Sequence, residues 1–173
     1  MFSMITKILS TGSLPEPVSL HERGEEPIGK SLQAAIKTLY GGRSLRIRHV
    51  DAGSTNAEEC ELTALGNAYY DVERFGISFV ASPRHADILT VSGPVTRNMA
   101  HALKTAYELM PSPKVVVAIG DGAITGGIWK DAYAVAGPVD AIIPVDAVIP
   151  GDPPSPGDIL SGLLSIIAAA RRA

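Results

Sequence analysis

The sequence predicts an α/β fold built on a doubly wound, mostly parallel sheet with helices on both faces. Short runs of Val, Ile and Leu alternate along the chain with longer stretches whose apolar residues recur at helical spacing. Apolar residues make up 46% of the chain and aromatic residues only 5%, which is typical of parallel strands buried on both faces. At 173 residues the chain is long enough for one domain with a substantial core.

The strands are predicted from short apolar runs that end at turn-forming residues. Residues 45–50 alternate apolar side chains with arginines and a histidine, which predicts a strand with one exposed face. Residues 115–119 are continuously apolar and predict a buried strand. The full set of predicted strands is 45–50, 77–81, 88–91, 115–119 and 141–149.

The helices are predicted from apolar positions three and four residues apart. The first is closed by Gly41 and Gly42, which suit a helix C-terminus, and the last begins at Pro156, which suits a first turn. The predicted helices are 28–40, 59–65, 99–110 and 156–172.

The N-terminal region, residues 1–27, is predicted to be separate from the single domain formed by residues 28–173. Phe2, Ile5, Ile8 and Leu9 recur at helical spacing and predict a short amphipathic helix. Residues 13–27 hold three prolines and predict an extended arm. The short helix either packs on its own domain or docks on a partner subunit or a membrane surface.

Composition excludes several classes of function. The net charge of −3 and the lack of a basic stripe give no case for a nucleic-acid partner. The single cysteine, Cys60, excludes an intramolecular disulfide and any metal site held by several thiolates of this chain. Residues 159–170 form an apolar stretch that is shorter than the ~20 residues of a membrane span. Because the N-terminus also lacks the features of a signal peptide, a cytoplasmic protein is expected.

Three turns that follow predicted strands are expected to form one site. They are residues 51–62, 120–123 and 150–154, and each is rich in Gly, Pro, Ser or Asp. Because the carboxyl ends of parallel strands meet at one edge of the sheet, these turns should come together there.

The loops resemble those of the small, cluster-carrying subunit of membrane-bound group 4 nickel–iron hydrogenases, including formate hydrogenlyase. They are also similar to those of the 20 kDa subunit of respiratory complex I. The resemblance spans about residues 28–165 and is carried by SLRIRHVDAGS (44–54), NAYYDVERFG (67–76), FVASPRHAD (79–87), VSGPVTRNM (91–99), YAVAGPVD (133–140) and IPG (149–151). It implies a flavodoxin-like fold whose loops hold one [4Fe–4S] cluster through four cysteines.

The four cysteine positions of that family hold other residues in this chain. Matched motif by motif, they are Thr55, Glu58, Gly122 and Asp152. Cys60 lies two positions beyond the second of them and cannot replace the set. Because such a cluster needs soft thiolate ligands, we expect the scaffold to be retained and the [4Fe–4S] cofactor to be absent.

Three interpretations of these polar positions follow from the residues, two with a chemical function and one without. The oxygens of Thr55, Glu58 and Asp152 suit a hard cation such as Mg²⁺, Ca²⁺ or Mn²⁺. Carboxyl groups with raised pKa values would instead make Glu58 and Asp152 part of a proton path. The alternative is a hydrated polar pocket with no chemistry of its own.

Arg74, Arg84, His85 and Arg97 stand in motifs that, in the family, lie near the cluster and the large catalytic subunit. The resemblance therefore implies an interface role for them. The alternative is that Arg74 and Arg84 pair with Asp71, Glu73 or Asp87 and brace loops, and that His85 is a hydrogen-bonding loop residue.

The sequence hypothesis is a cluster-less structural subunit of a membrane-associated hydrogenase-like oxidoreductase complex. Its partners would be a hydrogenase-like or complex I-like large subunit and the subunits of a membrane arm, at the cytoplasmic face of the inner membrane. We expect no catalysis by the chain alone. The alternatives are a repurposed small-ligand or divalent-metal-binding protein, and a redox subunit of an NADH:quinone oxidoreductase-like complex whose cofactor the sequence does not reveal.

Overall fold

A computed structural model describes residues 25–39 and 41–170. The predicted amphipathic helix at Phe2 to Leu9, and the arm up to residue 24, lie outside the described residues. The helices are α1 (Glu25–Leu39), α2 (Ala57–Ala64), α3 (Arg97–Leu109), α4 (Asp121–Thr125) and α5 (Pro156–Ala170). The strands are β1 (Leu45–Asp51), β2 (Ile77–Phe79), β3 (Ile88–Ser92), β4 (Val95–Thr96), β5 (Val115–Ile119), β6 (Val135–Gly137) and β7 (Ala147–Ile149). Short 3₁₀ turns cover Val72–Phe75, Pro83–His85, Gly127–Trp129 and Val139–Ala141.

The main sheet has the strand order β2-β1-β3-β5-β7, and every neighbouring pair is parallel. This is the flavodoxin-like order and confirms the predicted fold class. The chain runs from β1 outward to β2 and then crosses to β3 on the other side of β1. The sheet therefore has its topological switch point between β1 and β3, where ligands of such folds bind beyond the carboxyl ends of the strands.

Two apolar cores lie on opposite faces of the sheet, as a doubly wound fold requires. On one face, α1 packs against α5, and Leu32 and Leu163 are buried with side chains of α2. On the other face, Leu103 of α3 packs over Leu89 of β3. Strand β3 is buried along its whole length because it lies at the centre of the sheet with helices on both sides.

Two predictions about the chain's organisation are corrected by the structure. Helix α1 begins at Glu25 and not at residue 28, where the helix was predicted to start. The predicted strand 141–149 is wrong except at its end, since only Ala147–Ile149 pairs with β5. The backbone N–H groups of Ile142 and Ile143 both donate to the carbonyl of Val139, each at 3.0 Å. This local turn takes up the groups that a strand ladder would need.

A second, two-stranded sheet was not predicted. Strand β4 pairs antiparallel with β6, so the segment after β3 is joined to the chain beyond Trp129.

Among the described helices, none combines the length and apolarity that crossing a membrane requires.

Candidate functional site

The loops at the carboxyl ends of β1, β3, β5 and β7 surround one pocket of about 430 Å³, called here the strand-end pocket. It lies at the edge of the sheet where sequence analysis placed a site. Its lining residues are Ser54, Thr55, Glu58, Gly93, Pro94, Asp121, Gly122, Thr125, Gly127, Ile128, Trp129 and Asp152.

The wall formed by the β1 loop is held by hydrogen bonds close to the backbone. The Oδ1 atom of Asp51 accepts from the backbone N–H groups of Gly53 and Ser54, both at 2.8 Å. The N–H of Ala52 donates to the carbonyl of Ser92 at 3.1 Å, and the N–H of Thr96 donates to the carbonyl of Ala52 at 2.8 Å. The β1 and β3 loops are thereby fixed to each other.

The opposite wall is held in the same way between the β5 and β7 loops. The N–H of Gly120 donates to the carbonyl of Ile149 at 2.9 Å, and the N–H of Asp121 donates to the carbonyl of Gly151 at 2.8 Å. The N–H of Gly151 donates back to Oδ1 of Asp121 at 3.0 Å. None of these bonds uses a side chain of Thr55, Glu58, Gly122 or Asp152.

All four positions that sequence analysis matched to the family's cysteines line the strand-end pocket. Glu58 is buried with 4% exposure, Gly122 is half-buried, and Thr55 and Asp152 are exposed at the mouth. The structure therefore brings these four residues together in one pocket. Thr55, Glu58 and Asp152 also share the pocket, as a hard-cation site would need. Among the described residues, however, no three His, Cys, Asp or Glu side chains converge as they would around a metal ion.

The donor atoms of the strand-end pocket do not fit a [4Fe–4S] cluster. The lining residues offer hydroxyl and carboxylate oxygens and no thiolate, whereas such a cluster is held by cysteine sulfur. Cys60 is exposed and is not a lining residue. Its Sγ atom contacts Nδ2 of Asn56 at 3.5 Å.

Glu58 is the most constrained side chain of the pocket. It stands in the first turn of α2 and packs over Gly120, where a Cβ atom would overlap its carboxylate. Its Oε2 atom is buried and, among the described residues, has no hydrogen-bond partner. Burial raises the pKa of Glu58, and the negative charges of Glu59, Asp152 and Asp51 add to the rise against an opposing backbone hydrogen bond.

We expect Glu58→Gln to stabilise the isolated chain at neutral pH. A carboxyl whose pKa is raised on folding binds its proton more tightly in the folded state. Its ionisation therefore lowers the stability of the protein as pH rises from the pKa of the unfolded state to that of the folded state. Removing the charge should gain about 1 kcal/mol, or roughly 2–4 °C in Tm for a domain of this size.

The gain in stability from Glu58→Gln should shrink as pH falls toward the pKa of an ordinary carboxyl, because wild-type Glu58 then becomes protonated in both the folded and the unfolded state. The melting temperatures of the wild type and of Glu58→Gln between pH 4 and 8 measure this change in the gain. Glu61→Gln, on the same helix but outside the pocket, is the matched control. A Glu58→Gln gain that stayed constant with pH would contradict the expectation.

Behind the pocket wall, a polar network joins α2 to β1 and β3. Ser54 and Ser92 donate through their hydroxyls to the two carboxylate oxygens of Glu59. The Nε2 atom of His49 lies 3.2 Å from Oε1 of Glu59, and its Nδ1 atom lies 3.1 Å from Oγ1 of Thr90. The network connects the pocket-lining Ser54 to the sheet interior.

Glu59 and His49 of this network have shifted pKa values. Burial acts to raise the pKa of Glu59, but the hydrogen bonds from Ser54, Ser92 and His49 outweigh it and hold the pKa below its usual range. Burial lowers the pKa of His49, against the attraction of Glu59. The hydroxyl of Ser54 donates to a carboxylate and not to an imidazole. The order Ser–Glu–His is not that of a hydrolytic triad, in which the histidine contacts the serine.

The predicted interface residues do not form one group around the pocket. Arg74 precedes β2 at the edge where strands begin, opposite the strand-end pocket, and its guanidinium lies 4.6 Å from the ring centroid of Phe75. Arg84 and His85 lie in the connection from β2 to β3, which packs on α3. Arg97 begins α3 on the pocket side of the molecule, and its backbone N–H donates to the carbonyl of Ala134 at 2.8 Å.

The alternative pairing that the sequence suggested for these arginines is wrong. Asp87 forms its ion pair with Arg43, at 2.7 Å, and not with Arg84. Within the described part of the chain, Arg74 and Arg84 make no ion pair with Asp71, Glu73 or Asp87. An interface role for Arg74, Arg84, His85 and Arg97 remains a prediction.

Sequence analysis did not place Ile128 or Trp129 at the site. Both are exposed lining residues, with 88% and 51% exposure. The signal that could have located them is the pair Gly126 and Gly127 directly before them in the sequence. Gly126 and Gly127, both at positive φ, turn the chain back over the pocket after α4.

Comparison with known proteins identifies the family of the chain. Residues 56–166 match the family described as NADH ubiquinone oxidoreductase, 20 Kd subunit. The chain belongs to this family. The match includes α2, the β3 and β5 loops and the β7 loop, and therefore nearly all of the strand-end pocket.

Relatives of this 20 Kd subunit-family chain include a probable membrane-bound hydrogenase subunit of Pyrococcus furiosus. It is 46% identical over 116 residues, which cover 66% of this chain and 70% of that protein. Formate hydrogenlyase subunit 7 of Escherichia coli strain K12 is 40% identical over 130 residues, covering 75% of this chain and 49% of that protein.

A solved structure is also similar to this family member. It is that of the membrane-bound sulfane sulfur reductase, an archaeal respiratory membrane complex. The similarity has a TM-score of 0.68 at 35% identity, and it covers 82% of this chain and 75% of that chain. These relatives confirm the resemblance to the hydrogenase and complex I small subunits on which the four pocket positions were matched.

Proposed function

We propose that the chain is a cluster-less homologue of the hydrogenase and complex I small subunit. It acts as a structural subunit of a membrane-associated, hydrogenase-like oxidoreductase complex. The observation that carries the proposal is that Thr55, Glu58, Gly122 and Asp152 line one pocket. Sequence analysis matched these four residues to the family's cysteine positions. A glycine has no ligating side chain, and the other three offer only hard oxygen atoms.

Retention of the scaffold supports a structural role. The pocket walls are held by backbone carbonyls and by Asp51 and Asp121, so their shape does not depend on metal ligands. The relatives named above belong to membrane-bound hydrogenases and respiratory membrane complexes. By analogy, the partners of this chain are a large-subunit homologue and subunits of a membrane arm, with the chain held peripherally at the cytoplasmic face of the membrane.

Anaerobic reconstitution of the full chain with iron and sulfide tests the proposal. We expect no stoichiometric iron after desalting and no [4Fe–4S] signal in the EPR spectrum of the reduced protein, because the pocket offers no thiolate. A cluster bound at one per chain would overturn the proposal. Affinity purification from native membranes tests the partners, and recovery without any hydrogenase-like or complex I-like subunit would contradict the assembly role.

A further inference from the structure

The strand-end pocket holds negative charge without a compensating positive charge. Glu58, Asp121 and Asp152 line it, and none of its described lining residues is Lys, Arg or His. The Oε2 atom of Glu58 is buried with no hydrogen-bond donor among the described residues. Because a buried carboxylate oxygen without a partner is costly, the pocket favours a ligand that brings donors and positive charge to Glu58.

The shape of the pocket favours an extended organic cation over a metal ion. A volume of about 430 Å³ is far larger than a single ion needs. In the described part of the chain, no three potential ligand side chains converge as they would around a metal. A guanidinium group carries five N–H donors in a planar fork and can contact carboxylates that stand apart.

The mouth of the pocket suits the apolar part of such a ligand. Ile128 and Trp129 stand there with 88% and 51% exposure. An arginine side chain buries its methylene stem along apolar surface, and its guanidinium stacks on aromatic rings. Exposed Trp beside a charged pocket is also the kind of site at which protein interfaces concentrate binding energy.

We propose that the strand-end pocket receives an arginine side chain of a partner polypeptide, with its guanidinium at Glu58 and its stem against Trp129. The inference rests on the proposed function, since a pocket that held a cluster could not admit this side chain. The inference adds to the proposed function the chemistry by which the chain would contact its partner. At the place where the resemblance implies a redox centre, this chain makes an ion pair between subunits.

The test uses the full chain and the probe Nα-acetyl-arginine amide, with Nα-acetyl-citrulline amide as its neutral isostere. Trp129 is the only tryptophan of the chain and lines the pocket, so its fluorescence reports binding directly. We expect the arginine amide to bind at least about tenfold more tightly than the citrulline amide. Added salt should weaken the difference because the attraction is electrostatic.

Matched variants locate the binding. Glu58→Gln should weaken binding of the arginine amide at least about tenfold, whereas Glu61→Gln, outside the pocket, should leave it within about twofold. Melting temperatures identify any variant that has failed to fold.

Three outcomes would overturn the inference: equal affinity for the two amides, no change in Trp129 fluorescence with either, or binding unaffected by Glu58→Gln. Displacement of the arginine amide by Mg²⁺ or Ca²⁺ at equal or lower concentration would overturn it in favour of a cation site. Iron content measured separately tests the cluster-less proposal, so failure of one is distinguishable from failure of the other.

Discussion

A chain carrying Thr55→Cys, Glu58→Cys, Gly122→Cys and Asp152→Cys is expected to bind one [4Fe–4S] cluster. The four positions already line one pocket, and the walls are held by bonds that the substitutions leave in place. At Gly122 a Cβ atom would lie 3.1 Å from Cδ of Pro94, which a small shift of the proline ring relieves. Cysteine thus supplies what the wild-type pocket lacks, soft thiolate donors in a pre-formed frame.

Anaerobic reconstitution in a Cys60→Ser background should give about four iron atoms per chain and the EPR signal of a reduced [4Fe–4S] centre. The matched control keeps Gly122 and introduces only the other three cysteines, and it should bind markedly less iron. A folded four-cysteine chain that takes up no iron would show that the pocket has lost the family's geometry along with its ligands.

The second large effect is expected from Gly93→Ala in the loop after β3. Gly93 has a φ of +67°, and a Cβ atom there would overlap the backbone N of Ser54. Left-handed backbone costs a non-glycine residue about 1–2 kcal/mol, and overlap with backbone adds about 1–3 kcal/mol because the chain must move. We expect a loss of about 2–5 kcal/mol in the free energy of unfolding, measured by urea denaturation.

Gly42→Ala separates these two contributions. Gly42 has a φ of +90° and no atom within 4 Å of the added Cβ position, so its variant should lose only about 1–2 kcal/mol from backbone strain. If the two variants lost equal stability, the close approach of the β1 and β3 loops would not be a constraint on the pocket.

The parts of the fold that the sequence predicted are those with a strong local pattern. Residues 115–119 were found with their observed bounds because a continuous apolar run ends at glycine. The β4–β6 pair was missed because strands of two and three residues show no periodicity. Residues 141–149 were misassigned because apolar composition concealed a turn that bonds back to Val139.

The site was predictable as a set of positions but not as an arrangement of contacts. The family motifs located Thr55, Glu58, Gly122 and Asp152 together. Nothing in the sequence shows that Glu58 is buried or that its neighbour Glu59 bonds to Ser54 and Ser92, since glutamate is most often exposed. Such differences arise only when α2 is placed over β1 and β3, because the contact with Ser92 of β3 joins residues far apart in the chain.

Asp121 and Gly151 bond to each other, and Asp51 bonds to the backbone of its own loop. These bonds have a consequence for substitutions in the lining of the pocket. Since the frame of the pocket is built by residues other than those that fill it, the four filling positions can change one at a time without unfolding the chain. Variants of this chain that carry cysteine at one, two or three of these positions should therefore fold as the wild type does.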